Sequence, residues 1–456
     1  MKKGFLLFVL LFSSFLRAFA TPQAAGKIIQ IPANPKAGFQ WDYVLYIPQH
    51  IDMSKPLQLL FVMNNNRHYK TQEENEKSVL NRFQTRAGEL VEWGIADGVG
   101  VPMVMPMVLR NKQDEPIYSH KLNRATFILK EGPYARLDLQ VLSMLKDARK
   151  QLKKRGIRTQ PKFLIAGFSA AASFGYKLAF LHPEKVLAVA GGGEHYPILP
   201  FEIYNGVNLI FPLGAYDMQT YTGKKFNKNA WLKVPIFMTE GMEDYNDPLP
   251  WNDAYDEESR VATLKVLGNE TAVDRWEKAR EILAEEAPNV QTYTYPSLEH
   301  EWVKQDVIDF LNTHKNGGPL KPITPTDTSD RPSKLPIHVS KLYWEDEAKK
   351  VLVPDLYQHM KERELYMRVE GHGNLPFWAD SEYTCAFDVL YKGKTVLENL
   401  PCAASQFYPK EFSLQTVRFS DEDLAALKKT GGRTFSLRSH YPQIWDVPEH
   451  LTFTIK

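Results

Sequence analysis

The sequence has almost no cysteine: Cys385 and Cys402 are the two in 456 residues. It has no Cys-x-x-Cys pair, and none of its twelve histidines is spaced as His-x-x-x-His. A metal site of locally spaced ligands is therefore not indicated, which leaves only one assembled from distant residues. An excess of one charge is also missing. The formal net charge is +2, so composition offers no case for nucleic acid or an anionic surface as partner. Beyond the first twenty residues no stretch is long and apolar enough to read as transmembrane.

Those first twenty residues, MKKGFLLFVLLFSSFLRAFA, join a basic start (Lys2, Lys3) to an apolar run from Phe5 to Phe12 and small residues at Ala18 and Ala20. This pattern reads as a secretory signal peptide over 1–20, cleaved to leave Thr21 as the mature start. The expected location is periplasmic or secreted. In an oxidising compartment Cys385 and Cys402 are free to form a disulfide, although two buried thiols fit the sequence equally well.

A stretch from His314 to Pro336, rich in Pro, Gly, Thr and Ser, has no apolar period and reads as a linker. The expected division is a catalytic-type domain over 21–313, a linker over 314–340 and an accessory domain over 341–456. Before the linker, strands such as LQLLFVM (Leu57–Met63), FLIA (Phe163–Ala166) and VPIFMTEG (Val234–Gly241) alternate with helical patterns. The fold class is α/β, a mostly parallel sheet with helices on both faces. After the linker, LYMRVEG, FSLQTVRFS and RTFSLRS alternate polar and apolar residues, the pattern of a smaller, mainly antiparallel β domain.

The segment AGFSAAASFGYKLAFL places Ser169 where a buried strand turns into a helix, with Gly167 and Ala171 two residues to either side. A serine hydroxyl is a weak nucleophile and needs a base, a group to orient that base, and donors for the oxyanion. His300, in the loop after the strand VQTYTYP, is the candidate base. Asp244, just past Val234–Gly241, is the candidate orienting acid, with Asp247 as the alternative and Asp217 as a more remote one. The chain order Ser169, Asp244, His300 is the triad order of one hydrolase architecture. The backbone N–H of Ala170 and a donor from Asn65 or Asn66 are the expected oxyanion donors. His195 and Tyr196, after the triple glycine Gly191–Gly193, read more readily as space-filling than as lining the site.

These three segments together resemble the α/β-hydrolase superfamily over roughly Lys27 to His314, and within it the secreted esterase-like branch of polyester depolymerases and feruloyl esterases. The resemblance implies ester hydrolysis through an acyl-enzyme, with no cofactor, on a small-molecule or polymeric ester. The triad roles carry over to Ser169, Asp244 and His300. The chain departs from the pattern at Asn64–Asn66, where a His-Gly pair is usual, and at Ala171. Peptide hydrolysis on the same triad, and a binding protein on a hydrolase scaffold, remain alternatives at this level. The loops over Ala215–Trp231 and from Tyr245 onward are expected to shape a substrate pocket.

Overall fold

The computed structural model describes residues 26–84, 92–114, 116–333, 335–344, 364–370, 385–407 and 412–455. The leader segment 1–20 lies outside them.

Eight strands form the larger sheet: β1 (Lys27–Ile31), β2 (Tyr43–Ile47), β3 (Leu57–Val62), β4 (Met103–Pro106), β5 (Thr159–Phe168), β6 (Val186–Gly192), β7 (Ile236–Gly241) and β8 (Val290–Tyr295). Their spatial order is β1-β2-β4-β3-β5-β6-β7-β8. From β4 to β8 all neighbours are parallel, while β2 is antiparallel to both β1 and β4. Parallel pairing requires crossovers, and the helices between strands supply them on both faces.

Side chains sort by strand alternation. Leu59, Phe61, Phe163 and Ile165 enter one core with α3 (Leu137–Lys153) and α4 (Ala170–Leu181). Leu60, Val62, Leu164 and Ala166 enter the other, with α1 (Gln72–Gln84), α2 (Glu92–Val99) and α7 (Lys304–His314). Between β7 and β8 lie α5 (Glu257–Leu267) and α6 (Ala272–Glu286). The helix α6 starts at a capping box in which the Thr271 and Asp274 side chains each accept a backbone N–H of the other residue.

The smaller sheet comprises β9 (Ile337–Trp344), β10 (Glu364–Glu370), β11 (Ala386–Tyr391), β12 (Lys394–Phe407), β13 (Phe412–Arg418), β14 (Thr434–Ser439), β15 (Trp445–Asp446) and β16 (Thr452–Thr454). Its pairs are antiparallel except β9 with β15. The strand β9 begins at Ile337, inside the stretch expected to be linker up to 340, because Ile337 and Val339 are fully buried in this sheet's core. That core also takes in Tyr245 and Val273, so it packs against the loop that follows β7 and against α6. Cys385 and Cys402 are joined by a disulfide, with Cα atoms 5.5 Å apart. Among the described residues no helix is long and apolar enough to cross a membrane.

Candidate active site

Ser169 stands between the end of β5 and the first residue of α4. Its backbone is left-handed in φ (58°, with ψ −128°), a region that costs a residue with a Cβ on the order of 1 kcal/mol or more. The surroundings fix it there: its N–H donates to Gly192 O at 2.8 Å, and its carbonyl accepts from Ser173 N at 3.1 Å. The turn is tight enough that a Cβ at Gly167 would lie 2.5 Å from the backbone of Ala171. Glycine is needed at 167 for that close approach. At 171 the methyl of alanine is accommodated and buried. Ser169 itself stays partly exposed at the N-terminus of α4, where the helix dipole favours developing negative charge.

His300 follows β8 and Asp244 follows β7, adjacent strands of the sheet. The His300 Nδ1 lies 2.7 Å from Asp244 Oδ2. This contact favours the tautomer with the proton on Nδ1 and the lone pair on Nε2. Asn246 Nδ2, at 3.4 Å from Nε2, is a donor to that lone pair. The ring of Phe168, the residue before Ser169, lies 4.6 Å from the His300 ring and stacks on Trp302. Burial acts to raise the pKa of Asp244, but the neighbouring His300 and His195 outweigh it and hold the carboxyl well below the usual range.

The alternative acids are committed elsewhere. Asp247 is ion-paired with buried Arg275 and accepts from Tyr196 Oη at 2.5 Å and from Leu249 N at 2.9 Å. Asp217 accepts from Arg124 at 2.9 Å and from Phe211 N at 2.8 Å. Neither reaches His300 through any of these bonds.

The asparagine run divides. Asn64 is buried and bonded to Val108 through both side-chain atoms. The Asn66 side chain donates to Asn75 at 3.0 Å and accepts from Arg82 at 3.1 Å, so it belongs to the scaffold. Only Asn65 is partly exposed, with its Nδ2 reaching Phe168 O at 3.3 Å. Arg82 also donates to Asn65 O at 3.2 Å and pairs with Glu92. A cavity of about 230 Å³ is lined by Asn65, Phe168, Ala171, His300 and Trp302, with Arg82 at its wall. No described residue of Ala215–Trp231, or of the stretch from Tyr245 to Asp256, lines it. The Tyr245–Asp256 stretch is instead mostly buried, Asp253 in an ion pair with Arg110, while much of Ala215–Trp231 is exposed to solvent. A larger surface groove along α1 contains Arg67 and Glu73 but neither Ser169 nor His300, and it offers no comparable chemistry.

Two residues at the site carry more than their sequence context suggested. His195 is fully buried, its ring nearly parallel to that of His300 at 6.3 Å and its Nε2 3.5 Å from Asp244 Oδ1. Glu240, inside β7, is buried with it. The available signal for Glu240 was a carboxylate at the end of a fully buried parallel strand, IFMTEG.

The sheet order, the strained serine at the β5–α4 turn and the acid and histidine after β7 and β8 match one architecture. The fold is that of the α/β-hydrolases. No protein-family model matches the chain, and no curated protein matches its sequence. Among solved structures it is similar to poly(aspartic acid) hydrolase-1 from Sphingomonas sp. KT-1, with 14% identity over 64% of this chain and 99% of that one, at a TM-score of 0.40. A poly(3-hydroxybutyrate) depolymerase from Bordetella parapertussis is similar at 15% identity over 64% and 90%, also at a TM-score of 0.40. An S-formylglutathione hydrolase from Agrobacterium tumefaciens follows at 12% identity over 64% and 94%, with a TM-score of 0.34. On this hydrolase fold, Ser169, Asp244 and His300 fall at the ends of β5, β7 and β8.

Proposed function

We propose that the chain is an exported serine hydrolase that cleaves carboxylic esters through an acyl-enzyme on Ser169. The observation that carries this reading is the 2.7 Å contact of His300 Nδ1 with buried Asp244, beside the strained turn that presents Ser169.

In the proposed reaction Ser169 Oγ attacks the ester carbonyl carbon as His300 Nε2 takes its proton. The carbonyl electron pair moves onto oxygen, where the N–H of Ala170 and a donor from Asn65 stabilise it. Collapse of the tetrahedral species breaks the bond to the alkoxy oxygen, which leaves as the alcohol with the proton from His300. Water then repeats the sequence on the acyl-enzyme, with His300 again as base, and releases the acid. Asp244 stays ionised throughout and stabilises the imidazolium. No cofactor enters these steps.

Export rests on the leader pattern of 1–20. The Cys385–Cys402 disulfide supports it, since such bonds persist in oxidising compartments. The accessory-domain reading of 341–456 is supported by a second core with its own sheet.

The test is steady-state hydrolysis of p-nitrophenyl acetate and butyrate by the mature protein. Turnover that falls to background in Ser169→Ala is the expected result. A well-folded protein whose rate equals that of Ser169→Ala on both esters would overturn the proposal.

A further inference from the structure

Asp244 has two carboxylate oxygens, and His300 uses one. The other, Oδ1, accepts the N–H of Asn246 at 3.1 Å and faces His195 Nε2 at 3.5 Å. Behind it stands Glu240, buried like Asp244 and with its Oε1 out of reach of any hydrogen-bond donor among the described residues. Glu240 Oε2 accepts the backbone N–H of His195 at 2.9 Å and faces His195 Nδ1 at 3.4 Å. The four side chains His195, Glu240, Asp244 and His300 bring one polar atom each within 4.8 Å of one another.

The backbone is bent to make this possible. His195 has φ 59° and Gly193 φ 73°, and a Cβ on Gly193 would lie 3.0 Å from His300 Cε1. A left-handed histidine with no solvent exposure persists only where its surroundings over-determine it. Its ring makes no hydrogen bond of ordinary geometry, so its place is not explained by packing of polar groups alone.

Two carboxyl groups with oxygens within 4.8 Å of each other, both buried, are strongly disfavoured from both carrying charge at neutral pH. Burial, then the neighbouring Asp244 charge, push the Glu240 pKa well above the carboxylate range. The proton therefore resides on Glu240, where it can be donated to Asp244. The other titratable groups facing the pair are His195, His300 and, from α4, Tyr176.

We propose that Glu240 and His195 are positioning residues, a neutral carboxyl and an imidazole that hold Asp244 from behind so that its single negative charge faces His300. The proposal rests on the serine-hydrolase reading of the site. Neither residue touches substrate. Both act through Asp244, which keeps one orientation and one charge while His300 gains and loses its proton.

The experiment compares Glu240→Ala, Glu240→Gln and His195→Asn in the full mature chain, using p-nitrophenyl acetate, with thermal unfolding to establish folding. Glu240→Ala and His195→Asn lower kcat by roughly 10- to 100-fold with KM little changed, the range for lost outer-shell partners of an oriented histidine. Glu240→Gln recovers most of that loss, because its amide donates to Asp244, accepts from His195 N–H and adds no charge. Its kcat/KM profile keeps the wild-type acid limb. A folded Glu240→Ala with wild-type kcat would overturn the proposal. So would an acid limb moved to lower pH in Glu240→Gln, which would mean that an ionised carboxylate had been removed. Purified protein that retains a stoichiometric divalent metal, lost in His195→Asn, would replace the network with a metal centre. A second readout needs no turnover: the low-field imidazole proton of His300 in the proton NMR spectrum, identified by its loss in His300→Ala. That signal persists in Glu240→Gln and is lost in Glu240→Ala even if the wild type hydrolyses no ester, a result that would separate this proposal from the functional one.

Discussion

His300 Nδ1 and Asp244 Oδ2 lie 2.7 Å apart across 56 residues of chain, joined because their loops leave neighbouring parallel strands at the same end. Asp247, three residues beyond Asp244, is bound instead to Arg275 in a pair with no exposure on either side. The two aspartates therefore differ in their bearing on His300. Asp244→Asn is expected to lower kcat by about ten-thousand-fold through the wrong histidine tautomer. Asp247→Asn leaves a buried guanidinium short of its counter-charge and is expected to cost about 3–5 kcal/mol of stability. Parallel kcat and urea-unfolding measurements on the two variants check the assignment.

Strain at Ser169 gives a trade-off. Both Ser169→Ala and Ser169→Gly abolish ester turnover. Glycine alone relieves the left-handed backbone at φ 58°, so Ser169→Gly is expected to be more stable than Ser169→Ala by about 1 kcal/mol. Equal unfolding free energies would mean that the turn stores no strain.

The disulfide should matter to the smaller sheet and not to the chemistry. Its cysteines are 17 residues apart in sequence, a loop for which cross-linking contributes on the order of 3 kcal/mol. Reduction, or Cys385→Ser with Cys402→Ser, is expected to lower the calorimetric transition that includes β11 and β12. Initial ester turnover at 25 °C stays unchanged, as roughly room-temperature assays lie below that transition.

Acid stability has an identifiable contributor at Asp138, buried at the start of α3. Burial opposes its ionisation, but hydrogen bonds from His182 and Arg136 prevail and lower its pKa to about 2. A depressed carboxyl stabilises the fold above its unfolded pKa of about 3.9, and the contribution is lost as pH falls through about 2. The shift corresponds to roughly 3 kcal/mol. Asp138→Asn is therefore expected to be less stable than wild type at pH 7, with the difference shrinking between about pH 4 and pH 2. Urea unfolding of both proteins across that range measures it.

Much of this was legible in the chain. The strands β3 and β6, and β5 from Phe163 onward, are buried on both faces, so they read as mostly apolar runs, and Ser169 was marked by the small residues its turn requires. The helix α1 was not legible: its sequence QEENEKSVLNRFQ buries Val79 and Phe83 but few other apolar side chains, too few to set a period. The strand β1 was missed because it is short and on an edge. Within the site, sequence order could rank Asp244 above Asp247 but could not show that Arg275 occupies the latter. Asn65 and Asn66 were indistinguishable until Asn75 and Arg82, from α1, were seen to hold one of them. His195 was read as filler because nothing local reveals that its loop folds back over Asp244.

The most direct measurement is fluorophosphonate labelling of the mature protein at neutral pH, with the modified residue located by peptide mass spectrometry. If His300 activates Ser169, a single adduct forms at Ser169 and is lost in Ser169→Ala and strongly slowed in His300→Ala. Folded protein that takes up no label, or labels equally fast without His300, would contradict an activated serine at this site.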